Sequence, residues 1–231
     1  GGTKGLGLAM ARALVDRGDR VTVVGRHADH GARAARGLGR TAAFASADLT
    51  DWDSLDALFA GLPEDRSTVD HLVLAALDRD HNDIRDFRPD DSARTSLMKN
   101  VGYAAAVHSA LPNLADSGSV LLFSGLSMWL PFPGSTTISM ANAGVVGLCN
   151  SLATQIAPVR VNVITPGVVS GTAAVDHADP VRAAAYEKAR QRTPGKRLPT
   201  TDDIVGASLA LLDNHGINGA NLVVDAGMHL V

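Results

Sequence analysis

Aromatic residues are scarce in this chain: two tyrosines, two tryptophans and five phenylalanines in 231 residues, 4% of the whole. Any chemistry that needs a phenol has two places to take it from, Tyr103 and Tyr186. Cysteine is scarcer still. The single Cys149 excludes an internal disulfide and a cysteine metal cluster, and its neighbours Val146, Gly147 and Leu148 mark it as a buried thiol, in keeping with a reducing, cytoplasmic setting. No apolar run approaches the roughly twenty residues that span a bilayer, and no basic-then-apolar leader opens the chain, so neither membrane insertion nor export is expected. Charge of neither sign dominates. A net charge of −3 with scattered cations offers no attraction to nucleic acid or to an anionic membrane. No pair of histidines stands with carboxylate or cysteine at ligand spacing, so no metal site is expected.

What is present is enough for one buried sheet: 45% of residues are hydrophobic and 19% charged, the composition of a single globular domain over 1–231. Short apolar runs alternate with helix-like segments, the pattern of repeated βαβ units and a parallel sheet. Val21 to Val24, His71 to Ala75, Ser119 to Phe123, Val159 to Ile164 and Asn221 to Val224 read as buried strands, five in all. Helices are expected over Leu6 to Arg17, Ala28 to Gly37, Trp52 to Gly61, Ser92 to Leu111, Ile138 to Ala157 and Thr201 to Leu212. The stretch 168–199 is polar, holds Pro180, Pro194 and Pro199, and reads as a substrate lid with a short helix of its own at about Val181 to Arg190.

The chemistry begins at residue one. Gly1, Gly2, Thr3, Lys4, Gly5, Leu6 and Gly7 form a glycine turn opening a helix, where bare backbone N–H groups and the helix dipole hold a pyrophosphate. Alone such a turn is also an ordinary structural feature; its place before a helix and then a strand favours the cofactor reading. A turn of this kind follows the first strand of a sheet, so we expect a native N-terminal strand ahead of Gly1 that this chain lacks. After the next strand, where an acidic residue would bind the ribose hydroxyl of NAD, the chain has Gly25 and Arg26. Arg26 with Lys4 suits a 2′-phosphate and points to NADP(H), against the alternative of two solvated charges. Asp48 and Leu49 are placed to meet an adenine edge, although an Asp at a strand end also serves as a turn cap.

Together these residues resemble the short-chain dehydrogenase/reductase family over the whole chain. The resemblance rests on the glycine turn, Ala47-Asp48-Leu49, the strand Ser119 to Phe123, the run Arg160 to Gly167, the segment Gly195 to Pro199 with Asp203 and Ile204, and the run Gly219 to Gly227. It implies an α/β fold, a single Rossmann-type doubly wound parallel sheet of about seven strands with helices on both faces, a nicotinamide cofactor, and a homo-dimer or homo-tetramer. It also carries over Ala75, Pro166, Gly167 and Val168 as cofactor contacts, the last three beside the nicotinamide.

The departures gather where that family does its chemistry. Ile138 stands at the tyrosine of its Tyr-x-x-x-Lys motif and Asn142 at the lysine, while Gly125 takes the serine position with Ser124 and Ser127 close by. Lys99 takes the asparagine position, and Leu74-Ala75-Ala76-Leu77 replaces Asn-Asn-Ala-Gly. Lys and Asn have exchanged places, which looks like an atypical branch whose cation comes from the opposite wall. Lys99, Ser124, Asn142 and Tyr103 are therefore the catalytic candidates. Lys99 lies among Leu97, Met98 and Val101; desolvated it would exchange protons near neutrality, whereas a lysine snorkelling to the surface would not. Tyr103, one turn on, is either the replacement phenol or core, and Tyr186 in the lid is the other phenol. Ser124 either meets a substrate oxygen or caps the backbone, and His81 either reaches the pocket or is solvated. Ser124-Gly125 lacks a nucleophile elbow, which excludes a serine hydrolase.

Three functions fit. The first is an NADP(H)-dependent oxidoreductase acting on a carbonyl or alcohol small molecule with a rebuilt proton relay. The second is a non-redox enzyme such as a cyclase, isomerase or dehydratase, and the third a silent NADP(H)-binding module. Ala141, Ala143, Gly144, Gly147 and Ala153 give the helix Ile138 to Ala157 small faces that fit an oligomer interface. Trp129, Leu130, Phe132 and Met140 are candidate walls of an apolar substrate pocket.

Overall fold

The computed structural model describes residues 1–78, 81–177 and 180–231. Among them are six strands, all parallel to their neighbours. β1 (Val21–Gly25) pairs with β2 (Ala42–Ser46), and β3 (Val69–Leu74), β4 (Leu114–Phe123), β5 (Arg160–Pro166) and β6 (Asn221–Val224) lie side by side in that order. The expected sheet of about seven strands is thus seen as six strands in two parallel sets. Between the ends of β1 and β3 sits Gly1: its nitrogen donates to Val24 O at 3.0 Å, and a Cβ on it would lie 2.4 Å from the Ala76 nitrogen.

Strand alternation sorts the core into two layers, because successive side chains point to opposite faces. Val120 and Leu122 of β4, with Val161 and Val163 of β5, pack against α3 (Trp52–Ala60), α5 (Gly102–Ala110) and α6 (Thr136–Gln155) through Leu55, Val107, Val145 and Cys149. Leu121, Phe123 and Ile164 face the other way, onto α1 (Gly5–Asp16) and α9 (Thr201–Asp213) through Met10, Leu14, Ile204 and Leu211. Helices therefore cover both faces, the doubly wound α/β arrangement. No helix among the described residues is long and apolar enough to cross a membrane.

One element departs from expectation in a way that shapes the site. The single helix foreseen over Ser92 to Leu111 is instead α4 (Pro89–Ser96), a π-helical turn over Leu97–Val101, and α5. A π turn inserts one residue into the ladder and re-aims the side chains it carries. Two contacts seat it: Asn100 Nδ2 donates to the Ala141 carbonyl of α6 at 2.8 Å, and Gly102 passes so close to Leu49 that a Cβ would lie 2.3 Å from its carbonyl oxygen. The lid stretch carries α7 (Ala173–Asp176) and α8 (Pro180–Arg192), near the helix foreseen at Val181 to Arg190; residues 178 and 179 of that stretch lie outside the described residues.

Since β3 to β6 are parallel, their C-terminal ends share one edge, which brings Ala75, Ser124, Gly167 and Asp225 to the same side. That edge is where an open α/β sheet places its ligand.

Candidate active site

The glycine turn meets the demands of a pyrophosphate cradle. α1 starts without a side-chain cap and without an acidic residue in its first turn, so its N-terminal N–H groups and dipole are left for an anion. A Cβ on Gly7 would lie 2.1 Å from the Gly1 carbonyl oxygen, and only a glycine lets the helix start so near the turn. Gly5 takes φ +56° with open space where its Cβ would be, and Thr3 closes the turn against Gly25. The charges of Arg26 and Lys4 are both felt at Gly1, so both cations lie near the turn. Ala75 and Ala76 press on Gly1 from the β3 side.

Arg26 is exposed and pairs with Asp78 at 3.5 Å; Asp78 also accepts from Arg94 Nη2 at 3.0 Å. An anionic ligand group at Arg26 would take over the place of this carboxylate. Asp48 is occupied with local structure: Oδ1 accepts from the Thr50 nitrogen and from its hydroxyl, both at 2.9 Å, and the Asp48 nitrogen donates to Ser54 Oγ. Leu49 packs against the core beneath Gly102. Beyond β5, Pro166 is buried and Gly167 donates to Val224 O at 3.1 Å, with Val168 following half-buried. A Cβ on Gly167 would lie 2.7 Å from the Asp225 Cβ, so this wall is held close by the absence of a side chain. These groups fit a dinucleotide: an uncapped helix start for the pyrophosphate, cations for a phosphate, and a tight wall after β5. A nicotinamide cofactor, if bound, would supply hydride chemistry.

Lys99 is 2% exposed, which removes the reading of a lysine snorkelling to the surface. The π turn carries it inward, and its neighbour Asn100 ties that turn to α6 one residue before Asn142. Asn142 is 3% exposed; its Nδ2 donates to Ser127 Oγ at 2.9 Å, and its buried Oδ1 has no hydrogen-bond partner among the described residues. A buried amide oxygen left unpaired costs about 1–3 kcal/mol, a cost that a bound donor would offset. Gly125 lies against that amide, where a Cβ would sit 2.7 Å from Nδ2. Of the two readings for Ser124, the structure shows the backbone one: it donates to the backbone carbonyl of Asn142 at 2.9 Å, bracing β4 against α6. Ser127, beside the Asn142 side chain, is the hydroxyl that the sequence reading noted without choosing.

Tyr103 needs correction as a catalytic candidate. It is fully buried in the core, its hydroxyl donates to Ala76 O at 2.8 Å, and burial pushes its ionisation far above the usual phenol range. It holds the segment after β3 against the glycine turn and cannot release a proton to a ligand. Ile138 is buried on α6 one turn before Asn142. His81 sits by Gly134 at the approach to α6. Ala141 and Ala153 of the expected interface face the core, whereas Ala143, Gly144 and Gly147 are exposed together with Met140.

One pair not foreseen from the sequence lies directly after β6, where Asp225 packs against Gly167. The buried Asp225 accepts from the Gly227 nitrogen, the His229 nitrogen and His229 Nδ1. Asp225 belongs to the run Gly219 to Gly227, but its contact with His229 four residues on carries no sequence sign, since outside a helix that spacing holds no contact information.

With this geometry in view, comparison with known proteins fixes the class. The family model described as enoyl-(acyl carrier protein) reductase matches residues 1–229. The chain belongs to this family of short-chain dehydrogenase/reductases, whose members are oxidoreductases. A 3-oxoacyl-[acyl-carrier-protein] reductase of Bos taurus is 29% identical over 241 residues, covering 100% of this chain and 96% of the relative. Among solved structures, a putative betaketoacyl-ACP reductase is 27% identical with a TM-score of 0.84, over 100% of this chain and 96% of that one. A short-chain dehydrogenase/reductase from Brucella melitensis superposes with a TM-score of 0.91 at 21% identity, over 99% and 94% of the two chains. That last likeness speaks for the fold alone.

Proposed function

We propose that this protein is an NADP(H)-dependent reductase of a small carbonyl compound, with an active site rebuilt around Lys99, Asn142 and Ser127 in place of the tyrosine and lysine of the family motif. The observation that carries the reading is the nearness of Lys4 and Arg26 to an uncapped glycine turn, with Gly25 and Arg26 in place of an acidic residue at the end of β1. Lys99, buried at the π turn, is suited to stabilise negative charge developing on a substrate oxygen, because a fixed cation acts more strongly in a water-poor site than in water. The unpaired Asn142 Oδ1 is suited to accept from a cofactor or substrate hydroxyl. The names of the relatives make a 3-oxoacyl thioester the first substrate to offer.

The test is a titration with NADPH and with NADH, followed by cofactor fluorescence, and then addition of 3-oxoacyl thioesters and a broader carbonyl panel. The expected result is tighter binding of NADPH and its oxidation with a carbonyl. Binding without oxidation over the whole panel would favour a non-redox enzyme or a silent cofactor-binding module. That second reading draws on one observation, the loss of Tyr103 as a usable phenol.

The exposed stripe of Met140, Ala143, Gly144 and Gly147 on α6 supports a homo-dimer or homo-tetramer, since small residues let two helices approach closely. Sedimentation at micromolar concentration is expected to give such an assembly, and a monomer would contradict it. No partner other than a small-molecule substrate is proposed, and the site of action is proposed to be cytoplasmic.

A further inference from the structure

The site described so far has a cation, an amide and hydroxyls, yet no group able to hand a proton to a substrate oxygen and recover it from water. Lys99 is buried, Tyr103 is sealed in the core, and the Ser124 proton is committed to a backbone carbonyl. Outside that cluster, a histidine at the same edge of the sheet is held in a fixed orientation by a buried carboxylate. We propose that His229, held by Asp225, is the acid–base residue of this site, donating a proton to the substrate oxygen in reduction and accepting it in oxidation.

The argument starts at Asp225, which is 3% exposed directly after β6. Its Oδ1 accepts from the Gly227 nitrogen at 2.9 Å, and its Oδ2 from the His229 nitrogen at 2.7 Å and from His229 Nδ1 at 2.8 Å. A turn cap would need only the backbone bonds. The ring contact does something further: a carboxylate only accepts, so Nδ1 carries a hydrogen and Nε2 is the nitrogen left to exchange one. Nε2 has no hydrogen-bond partner among the described residues, and a third of the His229 side chain is open to solvent. A ring so placed can be recharged from water between turnovers, which Lys99 cannot.

Position supports the same assignment. Asp225 Cβ lies against Gly167, the tight wall after β5, and Gly167 is also flanked by Leu126. The His229 ring lies 6.3 Å, centroid to centroid, from that of Trp129, two residues beyond Ser127. The end of the lid stretch reaches the same place, with Gly195 donating to Ala226 O at 3.1 Å and Pro194 against Gly227. Strain is concentrated here: Ala226 takes φ +58°, a left-handed conformation that an alanine rarely adopts, immediately before Gly227 at φ +87°. Such backbone persists where the surroundings impose it, and functional sites are where it gathers.

In the proposed step, which takes NADPH as the hydride donor, the carbonyl oxygen gains the C=O π electron pair as hydride adds to the carbonyl carbon, and it takes the proton from protonated His229. The Nε2–H bond breaks, an O–H bond forms, and the neutral ring keeps its Nδ1 hydrogen on Asp225. The proposal rests on the carbonyl-reduction reading and is tested separately from it. Diethyl pyrocarbonate labels accessible imidazole nitrogens, and the labelled histidine is found by peptide mass spectrometry. We expect His229 to be labelled in the free protein and shielded in the presence of NADPH and ethyl acetoacetate. The His229→Gln variant should bind NADPH as the parent does and lose about 10² to 10⁴ in turnover, the usual contribution of a positioned acid–base group. Added imidazole should restore part of the turnover of His229→Ala, which a purely structural histidine would not allow. Equal labelling with and without ligands, while fluorescence reports bound NADPH, would overturn the inference alone. Absence of NADPH binding would remove the cofactor reading and this inference with it.

Discussion

Gly7→Ala is expected to weaken NADPH binding by roughly 10²-fold, the equivalent of losing one or two charge-assisted hydrogen bonds of about 1.5–3 kcal/mol each. The added methyl would lie 2.1 Å from the Gly1 carbonyl oxygen, 2.9 Å from its carbon and 3.3 Å from the Gly2 Cα. All three are backbone atoms, so no side chain can turn aside. Either the turn opens or the start of α1 tilts away, and in both cases the N–H groups lose their aim at the ligand. Some stability should go as well, about 1–3 kcal/mol for overpacking a close contact. Gly37→Ala is the matched control: its Cβ would meet nothing within 4 Å near the end of α2 (Ala28–Leu38), and binding should not change. Fluorescence titration of both variants with NADPH decides the matter, and wild-type affinity in Gly7→Ala would remove the turn from the binding site.

The same residue shows how far sequence carries. A glycine turn ahead of an apolar helix is legible because each glycine answers a local steric demand. The short apolar strands β1, β3, β4, β5 and β6 were legible for a similar reason, since brief runs of Val and Leu between turn residues have few other places to go than a buried sheet. β2 escaped notice: Ala42-Ala-Phe-Ala-Ser46 carries one large side chain, and its pairing with β1 supplies what its composition does not. The break between α4 and α5 was equally hidden. Apolar periodicity runs on through Leu97, Met98 and Val101, and the π turn exists because of partners distant in sequence, Ala141 for Asn100 and Leu49 for Gly102.

Site residues divide along the same line. Asn142 was marked from its place in a motif, and the structure sets it beside Ser127. Ser124 and Tyr103 were marked by position too, but where their hydroxyls point depends on tertiary neighbours, the carbonyls of Asn142 and Ala76. Asp225 lies in the run Gly219 to Gly227 that carries the resemblance, but no motif announced His229 or its contact with Asp225. Their contact depends on two consecutive left-handed residues, Ala226 and Gly227, and nothing in local propensity foretells an alanine in that conformation.

Lys99→Met is expected to lower turnover by about 10² to 10⁴ while NADPH affinity stays within a few fold, because its proposed task lies with the reacting oxygen and not with the phosphates. Methionine keeps the length and most of the volume of the lysine stem, so the π turn between α4 and α5 should remain packed. What disappears is a positive charge held 98% out of solvent by its own helix and by α6. In the proposed reaction the Lys99 cation acts on the oxygen that becomes an alkoxide, so the loss should fall on kcat more than on KM. The readout is NADPH oxidation with a substrate the wild type accepts, with NADPH titration and thermal midpoint measured on the same preparation. A variant that folds, binds NADPH and turns over like the wild type would take Lys99 out of the mechanism. A variant that folds and binds but does not turn over would place the cation of the π turn at the reacting centre.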